Sequence, residues 1–186
     1  ATVTAKKIGN DLGAYNGAGS NLTASAASIG EYAGREMRGG TVHLTGALGP
    51  HAGYRMSLGD LDVIGTAIDL RTQASGGTGR LTGQVVEAAT NQTEGNTIIQ
   101  GMVTRALGTG MSGGSVHADC AIGDICKEMQ GGAATVSTAE ASRIGMEARR
   151  GNIAVGTAEE SLIGGNESGL VTITVGSMKS GSRVGP

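Results

Sequence analysis

Apolar and polar positions alternate along this chain in short bursts, each following a glycine by two residues. Val42 and Leu44 flank His43, Leu61 and Val63 flank Asp62, and Leu81 follows Arg80. The figure recurs at Thr97 and Ile99, Val116 and Ala118, Ala134 and Val136, Ile153 and Val155, and Val171 and Ile173. Alternation with period two marks a short strand with one buried face. The glycines that open the bursts are Gly40, Gly59, Gly77, Gly95, Gly114, Gly132, Gly151 and Gly169, each 18 or 19 residues after the last. Glycine at a recurring position marks a corner, where positive φ costs it little. Gly46, Gly65, Gly83 and Gly101 form a second column, where the strand must bend.

The register also holds upstream. Ala33, Ala52, Leu70, Ala89, Leu107, Cys126, Ile144 and Ile163 read as one apolar column, and Met37, Met56, Ala74, Met111, Met129 and Ala148 as another. One such unit cannot bury its apolar side, whereas stacked units bury a continuous column. The prediction is an all-β, single-stranded, right-handed parallel β-helix (a solenoid) of about nine rungs, roughly 43 Å long at about 4.8 Å per rung. It is expected over residues 1–176, followed by a polar Gly/Ser-rich tail, 177–186, lying as a strap. The stretch before Asn21 matches poorly, and the polar segment Thr90–Glu94 is expected to be the weakest rung. Terminal rungs of a solenoid expose backbone and apolar surface. With no amphipathic helix at either end, a partner is expected to cover one end or face.

Composition explains the core. The chain has 35 glycines, three tyrosines and neither Phe nor Trp. Its interior must therefore be filled by Ile, Val, Leu, Met and Ala, which suit a narrow coil. Glycine does not recur every third residue and there are two prolines, which excludes collagen. The net charge of -2 gives no bulk attraction to nucleic acid or to a membrane. No apolar run approaches the roughly 18 residues of a membrane span, and the opening residues do not read as a signal peptide. Two cysteines, Cys120 and Cys126, read as a reduced, cytoplasmic protein. On that reading the glycosylation sequons at Asn21, Asn91 and Asn166 are chance.

Chemistry is sparse. His43 and His117 share an outward column four rungs apart, too far to hold one metal, and with His51 they read as surface histidines. Cys120 and Cys126 fall among small and apolar residues, as buried thiols rather than a redox pair. Asp60, Asp62 and Arg80 stand on neighbouring rungs as a solvated ion pair, with no facing cleft for a sugar. The run Gly108–Gly114 lacks the helix and lysine of a phosphate loop. Thr41, Thr78 and Thr97 share a column with Asp60 and Asn152, which breaks any threonine array for ice. No catalytic or metal residue is assigned. The feature left is a set of arginines just before the corner, Arg35, Arg38, Arg55, Arg143, Arg149 and Arg150, a possible edge for an acidic partner or an anion.

The units Ile29–Gly46, Leu48–Gly59, Gly123–Gly132 and Arg143–Gly156, with runs such as Gly-Glu-Tyr-Ala-Gly-Arg-Glu-Met-Arg-Gly-Gly, resemble a known glycine-rich repeat. It is that of the non-catalytic β-helical subunit of formylmethanofuran dehydrogenase. The related formyltransferase/hydrolase complex and the C-terminal domain of the large chain of glutamate synthase share it. The resemblance covers roughly residues 20–176. It implies a β-helix without catalytic residues or a cofactor of its own, serving as scaffold in a cytoplasmic complex of one-carbon metabolism. Partner proteins in that complex would carry the pterin-bound metal, iron–sulfur clusters or flavin. A structural β-helix of the glutamate-synthase type is the second expectation. The third is an independent module binding an anionic ligand at the arginine edge.

Overall fold

The computed structural model describes residues 1–164 and 170–185, and it is a parallel β-helix of about nine turns. Its strands are β1 (Thr2–Ile8), β2 (Asn21–Ile29), β3 (Arg38–Leu48), β4 (Leu58–Leu70), β5 (Ser75–Ala88) and β6 (Glu94–Leu107). They continue as β7 (Ser115–Ile125), β8 (Ala133–Ile144), β9 (Gly151–Glu159), β10 (Leu162–Ile163), β11 (Val171–Met178) and β12 (Arg183–Val184). Each strand from β1 to β8 pairs in parallel with the next. Then β9 and β10 both pair with β8, as two halves of one rung, and β11 and β12 stack on them in turn. No helix occurs among the described residues.

The alternating positions face the lumen as the pattern predicts. Val42, Leu44, Leu61, Val63, Leu81, Ile99, Val116, Ala118, Val136, Ile153 and Val155 are all at most 2% exposed. The methionine column is equally dry, with Met37, Met56, Met111 and Met129 at 0%. Between them lie the corners. Gly40, Gly59, Gly77, Gly95, Gly114, Gly132 and Gly151 hold φ from 71° to 117°, a region that L side chains rarely adopt. Gly169 lies outside the described residues, as does the sequon at Asn166.

Three details depart from the expected register. The apolar column runs through Ala88 and Ile125, which pair with Leu107 and Ile144, and not through Ala89 and Cys126. Those two stand one place later, with φ 57° each, in the column of Gly34, Gly53, Gly108 and Gly145. Register shifts between Val85 and Glu87 and between Ile122 and Asp124 insert the extra residue. The tail boundary at 176/177 is also absent: Ser177 and Met178 pair with Thr157 and Ala158, and Arg183 and Val184 with Leu162 and Ile163. Lastly, the stretch before Asn21 forms a proper rung, with β1 in register against β2.

The lumen is polar around Arg71. Arg71, at φ 60°, occupies the slot that Gly53 fills on the rung before and Ala89 on the rung after, and its side chain is fully buried. It lies against Gly79, where a Cβ would meet the arginine's own Cδ and Cγ. That accounts for glycine at an otherwise apolar lumen position. Its Nη2 donates to the carbonyl oxygens of Gly76 (2.8 Å) and Glu94 (3.4 Å), while Nε has no partner in the protein. One rung on, Gln92 takes a methionine's place. Its amide donates to Gly95 and Ser115 carbonyls and accepts from Thr97 Oγ1 at 2.6 Å. The polarity of Thr90–Glu94 is thus partly a lumen feature and not only a loop's.

Candidate functional site

The three tyrosines of the chain gather at one corner of the first rungs, together with two of the arginines. Each rung there makes a tight turn, and successive turns stack, so residues 18 to 21 apart become neighbours. Arg35 lies over the rings of Tyr15 (5.2 Å) and Tyr32 (5.0 Å), donates to Tyr15 Oη (3.0 Å) and pairs with Asp11 at 3.1 Å. Tyr32 stacks on His51 at 4.9 Å, and His51 packs against Tyr54 at 5.6 Å. Arg55 lies over Tyr54 at 5.1 Å and donates through Nε to Gln73. Asp69 closes the series: its carboxylate accepts from the His51 backbone N–H and from Thr72 Oγ1.

The geometry decides what this corner does. The ring faces that would stack a ligand are already stacked on each other and on guanidinium groups. Arg35 bonds within the ladder through Nη2 and Arg55 through Nε. Such a column ties rung to rung, each cation–π contact being worth about 0.5–1 kcal/mol at an exposed site.

The remaining arginines do not join them. Arg143 sits in the column of Asp69, Glu87 and Asp124 and pairs with Asp124 at 2.7 Å. Arg38 opens β3, and Arg149 and Arg150 precede β9. The six arginines therefore occupy several columns. Sequence distance to the corner glycine suggested a single line, but each rung turns more than once before that glycine.

The outward face carries the cross-rung pairs. Arg80 reaches Asp62 (3.3 Å) and Asp60 (3.5 Å), and His43 Nδ1 lies 3.0 Å from Asp62. His117 faces Asp119 on its own strand at 3.6 Å. Among the described residues no three His, Cys, Asp or Glu side chains are placed to hold a metal ion.

Of the thiols, Cys126 is fully buried, and burial pushes it up to about 12 from an ordinary 9.0. Cys120 is raised by partial burial and by the nearby charges of Glu140 and Asp119. Burial draws Arg71 the other way, down to about 10 from 12.5. The linkage signs are opposite. The Cys126 contribution is complete below pH 9 and is lost as pH rises towards 12. The Arg71 penalty is complete below pH 10 and is relieved as pH rises towards 12.5. Between pH 9 and 10 the Arg71 penalty is still complete, and removing Cys126 isolates its own share. From pH 9 to pH 10 the native chain should therefore lose about 1 kcal/mol more unfolding free energy, measured in urea, than the Cys126→Gly variant. Equal slopes would place the thiol outside the lumen.

No family model, curated protein or solved structure matches the chain. No helix of the described residues is long and apolar enough to cross a membrane.

Proposed function

We propose that this chain is a scaffold: a rigid β-helical rod that holds the catalytic members of a cytoplasmic complex, of the formylmethanofuran dehydrogenase or formyltransferase/hydrolase type. The observation that carries the reading is the destination of its reactive side chains. Arg35, Arg55, Arg80 and Arg143 bond to residues on the adjacent rung, so they stiffen the rod and are not poised towards a common point. The double-glycine units, through their resemblance to the glycine-rich repeat of those complexes, supply the choice of complex. In this role the partners hold the pterin-bound metal and iron–sulfur clusters, and the rod sets the distance between them.

The test is purification of the tagged chain from its native source under mild conditions, with the accompanying proteins identified by mass spectrometry. Stoichiometric amidohydrolase-like and pterin-binding proteins are expected. Amidotransferase and flavin-bearing partners would move the scaffold to glutamate synthesis. A partnerless monomer at physiological concentration would overturn the reading.

A further inference from the structure

One column on the rod's surface is a ladder of acids with a gap. Asp69, Glu87, Ala106 and Asp124 stack in register on β4 to β7. Three residues later in each rung stand Thr72, Thr90, Thr109 and Lys127, also stacked, through the hydrogen bonds that link their turns. In the first of these rungs the two columns meet: Thr72 Oγ1 donates to Asp69 Oδ1 at 3.1 Å. In the third there is no acid, because Ala106 takes its place. Thr109 Oγ1 is buried there without a partner in the protein, and so is Thr90 Oγ1 one rung below. Beside Ala106 is a niche of about 240 Å³, which Arg105 and Lys127 and the acids Glu87, Asp124 and Glu128 also line.

We propose that this niche binds a small carboxylate, which takes the position over Ala106 that the Asp69 carboxylate takes over its own rung. Thr109 Oγ1 donates to it as Thr72 does to Asp69, and Thr90 Oγ1 faces it from below. Arg105 and Lys127 stand at the rim, each paired with an acid of the lining, Glu87 and Glu128. The flanking acids do not forbid an anion, since Glu87 is paired with Arg105, Asp124 with Arg143 and Glu128 with Lys127. They do restrict it: a planar, singly charged group of a few atoms fits, whereas a phosphate or sulfate would bring a second charge between two carboxylates. The shared chemistry admits two sources, a free small acid or the C-terminal carboxylate of a peptide.

Titration of the full chain with acetate, followed by the amide resonances of Thr90, Thr109 and Lys127, tests this. Saturable shifts in the millimolar range are expected, weakened at least tenfold in Thr109→Val and abolished in Ala106→Asp, whose own carboxylate fills the niche. N-acetyl-glycylglycine, titrated in parallel, separates the sources: tighter binding than acetate assigns a peptide terminus, and equal or weaker binding a free acid. Ala106→Asp provides a readout without ligand. Its thermal midpoint should rise above the native one, because Thr109 gains an acceptor; a fall would overturn the assignment. No saturable shift up to about 100 mM acetate, or shifts with phosphate that match acetate and ignore Thr109→Val, would overturn it too.

Discussion

Replacing Gly83 by alanine is expected to lower the stability of the rod by more than about 3 kcal/mol. Gly83 sits mid-strand at φ 141°, where a non-glycine backbone already costs about 1–3 kcal/mol. Space adds to this. A Cβ on Gly83 would meet the carbonyl oxygen of Gly65 on the rung beneath, and the same contact recurs from Gly65 to Gly46 and from Gly101 to Gly83. That oxygen belongs to backbone locked in the parallel ladder, so it cannot swing aside as a flexible side chain would. The bend would have to open, separating β4 from β5. At about 2–4 °C per kcal/mol for a chain of this size, the midpoint should fall by roughly 10 °C. Gly9→Ala is the control, because its φ is unstrained and nothing lies within 4 Å of its added carbon. Differential scanning fluorimetry of the two variants decides the matter: similar midpoints would mean that the second glycine column is not a close approach between rungs.

The second large effect is expected at Val155. Its side chain is 2% exposed and stacked between Val136 and Val175 on the neighbouring rungs. Val155→Asp would put a carboxylate into an apolar column with no donor opposite, at a cost of about 4 kcal/mol. Two features mark this mechanism. The loss should shrink on acidification, because the neutral acid is cheaper to bury than its anion. It should also be much larger than that of Thr174→Asp, on the next rung in β11, where the side chain is exposed. Chemical denaturation at pH 7 and pH 4.5 measures both. A larger loss at Thr174 than at Val155 would mean that the inward and outward assignments are exchanged, as a one-residue slip would produce.

The candidate site was less legible than the fold. The arginine edge rested on counting back from the corner glycine, and counting treats a rung as one turn. The rungs in fact have a tight turn at Tyr15, Glu36, Arg55, Gln73, Glu128 and Glu147, all with φ between 50° and 59°, and Asn91 and Gly110 take the same place in two others. Long polar residues in that conformation give no composition signal, since glycine or asparagine would be expected there. The clustering of all three tyrosines did carry a hint. Tyr32 and Tyr54 lie 22 residues apart in the chain, one rung plus a few places, and the pairing of their turns was visible only once the register was known. The buried Arg71 was likewise hidden: a lone arginine reads as surface, although Gly79, missing from the lumen pattern eight residues later, was its trace.

By itself the sequence determined the period, the alternation of buried and exposed positions, the corners and the methionine column. These follow from local rules: a strand has period two, a corner needs positive φ, and a narrow lumen admits only small and branched side chains. What the tertiary structure alone decided is which residues meet between rungs. Bulges of one residue moved Ala89 and Cys126 out of the apolar column, and stacking turned separate polar residues into the Tyr–Arg ladder. It also set Ala106 among acids with a threonine hydroxyl left unpaired. Contacts between rungs depend on the exact length of every turn before them. A shift of one residue, nearly invisible in the repeat, changes each neighbour that follows.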